Sequence, residues 1–144
     1  MFKTTVNTNK STNNSTNLLL TINSNKVTKP DSDYDQLFKR TIIDICNNLE
    51  EYINPKAEAY GLALNNNIVS AENTISFEYS TKGFVHCHIF IRIVQKKGYY
   101  LINLPVLRQN VISKLGDGRN IHIDVRRISS VDEAKKYLEK SFSN

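Results

Sequence analysis

The stretch from Phe77 to Val94, FEYSTKGFVHCHIFIRIV, limits what this chain can become more than any other. Strand side chains point alternately to two faces, so parity sorts them. Val85, Cys87, Ile89, Ile91 and Ile93 share one side of a strand over 85–94, and His86, His88, Phe90 and Arg92 share the other. The preceding strand, over 74–79, sorts into Ile75, Phe77 and Tyr79 against Thr74, Ser76 and Glu78, with STKGF as the hairpin connection. Pairing Phe77 with Cys87 puts both apolar sides together. The same register sets Glu78 opposite His86, and directly paired residues have Cβ atoms about 5 Å apart.

Two imidazoles two residues apart, with a carboxylate on the neighbouring strand, form a three-ligand metal site with open positions. The plainer alternative is a pair of solvated imidazoles on an exposed face. Cys87 points away from the pair and is expected in the core. Cys46 falls in a helical pattern, and both cysteines read as small buried hydrophobes in a reducing compartment.

The rest of the chain supplies a setting for this hairpin. Residues 1–16 are a polar Asn/Ser/Thr/Lys tract with little to bury, expected to be disordered. The start lacks the apolar core of a secretory signal. Leu18, Leu20 and Ile22 alternate as a strand. Pro30 and the Asp/Ser cluster after it mark a helix start. Phe38, Ile42, Ile45, Leu49 and Ile53 keep helical spacing up to Pro55. Pro105 and Gly116 bracket a second helix. NIHIDVRRI alternates again, with Ile121, Ile123 and Val125 toward the core and His122, Asp124 and Arg126 on the polar side. Ser130 and Glu133 form a capping box for a last helix over 131–142.

The order β-α-β-β-α-β-α in 144 residues predicts one α+β domain over 17–144. It should be an antiparallel-rich plait of the ferredoxin or RNA-recognition type, with helices on one sheet face and the last helix adjoining the site. No run approaches the ~20 apolar residues of a membrane span. A formal charge of +5 favours a polyanionic partner.

On the last helix Tyr137 lies at the edge of the apolar stripe Val131, Ala134, Leu138 and Phe142, and Lys140 is three residues on. Residues at that spacing are helix neighbours, so a phenol oxygen and an ammonium can converge on one phosphate. Phe90, Arg92 and Arg126 share the histidine face and suit a single strand held by stacking and phosphate attraction. Phe90 could instead pack beneath the last helix. Lys29, Lys82, Lys96 and Lys97 lie in loops or at strand ends. His122 reads as structural or as a DNA contact, and Tyr52, Tyr60, Tyr99 and Tyr100 as packing or surface residues.

Taken in order, these motifs resemble the HUH endonuclease domain of replication initiator (Rep) proteins from circular single-stranded DNA viruses. LLLTINSNK is similar to the family's first motif, VHCHIFI to its His-hydrophobic-His motif, and YLEK to its Tyr-x-x-Lys motif. The likeness spans about residues 17–142. It implies that Glu78, His86 and His88 hold Mg²⁺ or Mn²⁺, that Tyr137 is the nucleophile, and that Lys140 positions or neutralises the phosphate. It also implies that Asn23 and Lys26 contact DNA. The expected activity is nicking of single-stranded DNA at an origin hairpin through a 5′-phosphotyrosine, followed by rejoining. Such Reps commonly continue into a helicase domain, and other Rep copies are a further expected partner. This chain resembles an isolated nuclease domain, acting inside the cell and in the host nucleus for a eukaryotic virus. Two other readings are a non-catalytic plait module that binds single strands and a hydrolase in which water attacks.

Overall fold

Alternation of apolar and polar residues builds the sheet, and amphipathic helices close one side of it. The computed structural model describes residues 13–116 and 121–129, together with Asp132, Lys135 and Lys136. Strand β1 spans Asn14–Val27, helix α1 Asp33–Asn47, β2 Ile53–Lys56, α2 Leu64–Asn67 and β3 Ile68–Tyr79. They are followed by β4 Phe84–Gln95, β5 Tyr99–Ile102, α3 Leu104–Leu115 and β6 His122–Arg127.

The large sheet has the order β3-β4-β1-β6, with every pairing antiparallel. β4 lies between β1 and β3, which α1 connects, and β1 lies between β4 and β6, which α3 connects. Two crossover units split by each other's strands make the expected α+β plait. β2 and β5 form a separate two-stranded sheet. Among the described residues no helix is long and apolar enough to cross a membrane.

One face of the large sheet holds the core. Leu18, Leu20 and Ile22 of β1 meet Val85, Cys87, Ile89, Ile91 and Ile93 of β4 beneath Phe38, Ile42 and Ile45 of α1 and Leu107, Val111 and Leu115 of α3. Each such side chain, once fully buried, contributes about 1.5–3 kcal/mol. The Ser32 hydroxyl caps α1 by accepting from the Asp35 N–H at 3.2 Å. Asn103 caps α3, and Gly116 ends it at φ +74°.

Three expectations need correction. The polar tail was placed at 1–16, yet β1 begins at Asn14. Thr16 is buried there: its hydroxyl donates to Gln95 Oε1 at 3.1 Å and accepts from the Tyr100 N–H at 3.3 Å. Helix α1 stops at Asn47 rather than near Pro55, because Asn48 bonds back to Ile45 and Asp44 and closes the last turn. Pro55 then sits in β2, whose pairing is with β5 alone, as a proline at a sheet edge can. β3 starts at Ile68, not near 74, and residues 69–74 are exposed. That edge is held by ladder hydrogen bonds and buries little, so it carries no alternation to read.

Candidate metal centre

The hairpin register is the one that parity demands: Phe77 pairs with Cys87 and Glu78 with His86. The face opposite the helices therefore carries rows that cross four strands. One row is Glu78, His86, Asn23 and His122, and the next is Ser76, His88, Thr21 and Asp124. A third is Thr74, Phe90, Leu19 and Arg126.

Glu78, His86 and His88 bring one ligand atom each to within 4.8 Å of one another. Nε2 of His86 is in close contact with Glu78 Oε1, and Nε2 of His88 lies 3.4 Å from the same oxygen. The ring planes stand nearly perpendicular, at 87°. The three side chains are only 14–17% exposed, so the charges are largely withdrawn from water yet open to a small ligand.

The hydrogen bonds show what this cluster lacks. His86 Nδ1 faces the Phe84 carbonyl oxygen at 3.4 Å. Both neighbours of that ring only accept, the carbonyl oxygen at Nδ1 and the Glu78 carboxylate at Nε2. The closer is the carboxylate, so Nε2 is the atom that shares a proton or an ion with Glu78. Among the described residues Glu78 Oε2 is buried with no hydrogen-bond partner. An orphaned carboxylate oxygen beside two imidazole Nε2 atoms fits a divalent cation, and one oxygen donor with two nitrogens suits borderline or hard divalent ions. His88 is prepared for that role. Burial, the largest influence, outweighs the pull of Glu78 and, with repulsion from His86, holds its pKa below the ordinary imidazole value. The neutral ring that ligates a metal is thereby favoured.

Below the sheet, Tyr79 pins the strand that carries Glu78. Its hydroxyl donates to Asp35 Oδ1 at 2.6 Å, and Lys39 Nζ lies 3.1 Å from Asp35 Oδ2. Asp35 also accepts from the Asp31 N–H at 3.0 Å. Burial pushes the Asp35 carboxyl up, but bonds from Tyr79, Asp31 and Lys39 together hold it below the usual range. Burial, joined by Asp35, pushes the Tyr79 phenol up.

The other expected residues fall as follows. Cys87 is buried on the core face, where burial pushes its thiol up and away from ligand chemistry. Burial likewise pushes Cys46 up to about 12. Arg92 and Arg126 are on the ligand face, beside Glu72 at 3.8 Å and Asp124 at 3.1 Å. Lys26 sits over the Tyr34 ring, 4.1 Å from its centroid. Asn23 faces the site, but its Oδ1 accepts from the Asn25 N–H at 2.9 Å and serves its own turn. Of the two readings of Phe90, the stacking platform needs correction and the packing residue fits: it is 8% exposed and buried with Leu19 and Ile128. Tyr52 and Tyr100 are buried and bonded to Asn110 and Asn67, as packing residues. Asp132, Lys135 and Lys136 are helical and exposed, whereas Tyr137 and Lys140 lie outside the described residues.

Two neighbours of the histidines were not singled out from the sequence. Thr21 Oγ1 is 3.0 Å from His88 Nδ1, and Ser76 is buried opposite the same ring. Thr21 reaches His88 through the pairing of β1 with β4, 67 residues apart, so no local pattern announces it. Beyond Thr21 a groove of about 320 Å³ opens, lined by Leu19, Thr21, His88, His122, Asp124 and Arg126.

No family model matches the chain, and no curated protein matches it. Among solved structures, a de novo designed protein, Foldit4, superposes with a TM-score of 0.40 at 14% sequence identity, covering 81% of this chain and 99% of that one. A likeness of that extent carries no argument about function.

Proposed function

We propose that this protein nicks and rejoins single-stranded DNA at an origin hairpin, starting rolling-circle replication as a Rep-type HUH endonuclease. The observation that carries the reading is the convergence of Glu78, His86 and His88 on one point of the open sheet face. Glu78 and the two Nε2 atoms would hold Mg²⁺ or Mn²⁺, which when bound supplies Lewis acidity to the scissile phosphate.

The remaining work belongs to side chains. The Tyr137 oxygen forms a bond to phosphorus as the bond from phosphorus to the 3′ oxygen breaks. The phenol proton leaves to solvent, and the departing 3′ oxygen takes up a proton to become a hydroxyl. The 5′ phosphate stays on Tyr137 until a 3′-hydroxyl attacks it and restores the phosphodiester. Lys140 offsets the charge that develops on phosphate. Arg92 and Arg126 draw the strand across the face, with Asn23 and Lys26 at its end, consistent with the net charge of +5. On this reading the chain works inside the cell, in the nucleus of a eukaryotic host, alongside a helicase domain and other Rep copies.

The test uses a pool of single-stranded oligonucleotides with randomised hairpin loops, incubated with Mn²⁺ and run on a denaturing gel. A covalent adduct is expected, and Tyr137→Phe should remove it. Binding without cleavage would replace this reading with a non-catalytic single-strand module. Cleavage that survives Tyr137→Phe would assign the attack to water.

A further inference from the structure

The two histidines of the centre are held differently at Nδ1. His86 faces a carbonyl oxygen, which only accepts. His88 faces the Thr21 hydroxyl at 3.0 Å, and a hydroxyl both donates and accepts. Thr21 is fixed in that place by register, opposite His88 on one side and Asp124 on the other. It is partly exposed and lines the groove, and a hydroxyl proton can turn about its C–O bond.

We infer that Thr21 is a positioning residue whose hydroxyl reverses direction when the centre takes up its ion, holding His88 as a ligand through Nε2. This rests on the metal-centre reading above. In the metal-free protein the Glu78 carboxylate, 3.4 Å from Nε2, favours a proton on that nitrogen. Nδ1 is then bare, and Thr21 donates to it. With an ion on Nε2 the ring proton moves to Nδ1, and Thr21 turns to accept it while its own proton points toward the groove. A carbonyl at this position could not serve the first state, and an apolar side chain could serve neither. Partners of this kind orient a metal-binding ring and set its basicity.

The experiment titrates wild type, Thr21→Val and Thr21→Ser with Mn²⁺ by calorimetry. Valine keeps the shape of threonine and removes the hydroxyl; serine keeps the hydroxyl and removes the methyl. A loss of about 10–100-fold in affinity is expected for Thr21→Val, with Thr21→Ser close to wild type. A packing role would give the opposite ranking and overturn the inference. Nitrogen NMR of the Zn²⁺-loaded wild type should show the His88 proton on Nδ1, and a proton absent from Nδ1 would overturn it even if Thr21→Val fails to fold. Wild type that binds neither Mn²⁺ nor Zn²⁺ would remove the metal centre and this inference with it. Tight binding unchanged by Thr21→Val would remove the inference alone.

Discussion

Glu78 faces two imidazoles with one oxygen while its other oxygen is buried with no partner among the described residues. Under the metal-centre reading its charge is the counter-ion for the cation that the rings would share. Glu78→Gln keeps the shape of the side chain but removes that charge. It should lower Mn²⁺ affinity by more than ~100-fold, since replacing mere outer-shell partners already costs 10–100-fold. Far-ultraviolet circular dichroism should stay native, because the residue lies on the face away from the core. Affinity equal to wild type would show that the carboxylate is not a ligand. The same placement explains why Cys87, between the two histidines in sequence, takes no part: one residue along a strand is the opposite side of a sheet.

The strand β3 works as an element because both of its faces are used at adjacent residues. Glu78 stands on the open side while Tyr79 reaches down to Asp35 and Lys39 of α1. Tyr79→Phe deletes a 2.6 Å bond to a buried carboxylate and should cost about 1–3 kcal/mol in chemical denaturation. The pH dependence follows from the lowered carboxyl of Asp35. A group whose folded pKa is depressed adds stability above its unfolded pKa, and that stability is lost as pH falls through the folded value. Wild type should therefore lose stability on acidification below the ordinary aspartate range, and Asp35→Asn should flatten that limb. An unchanged acid limb in Asp35→Asn would locate the loss elsewhere. Element boundaries were harder to read than element types. The exposed start of β3 buries too little to leave a periodic trace, β5 alternates in burial while all four of its residues are apolar, and Asn48 ends α1 by bonds that also suit a helix interior.

At the scale of the molecule, the plait separates two jobs. Helices and apolar side chains fill one sheet face, and the other is left for ionisable groups. Under the proposed function, the net charge of +5 and the arginines on that open face would make affinity for single strands salt-dependent. Each phosphate contact adds about 0.7 to the slope of log K against log salt for single strands. Arg92→Ala should lower the slope by about that amount in fluorescence anisotropy with an unstructured oligonucleotide. A slope equal to wild type would place the strand's path away from β4. The expected stacking by Phe90 is the part of this surface that burial removes: its ring covers Leu19 and Ile128.

The sequence by itself determined the hairpin, its register and therefore the meeting of Glu78 with His86, because a two-residue period joined by a short turn leaves one pairing that keeps both apolar faces together. It also determined the face of α1 that Phe38, Ile42 and Ile45 bury. Only the tertiary structure decided that Thr21 holds His88, that Thr16 is interior, and that Phe90 is covered. Those contacts join strands far apart in the chain, and the order of strands in a sheet is set by crossover connections and core packing, which no local pattern records.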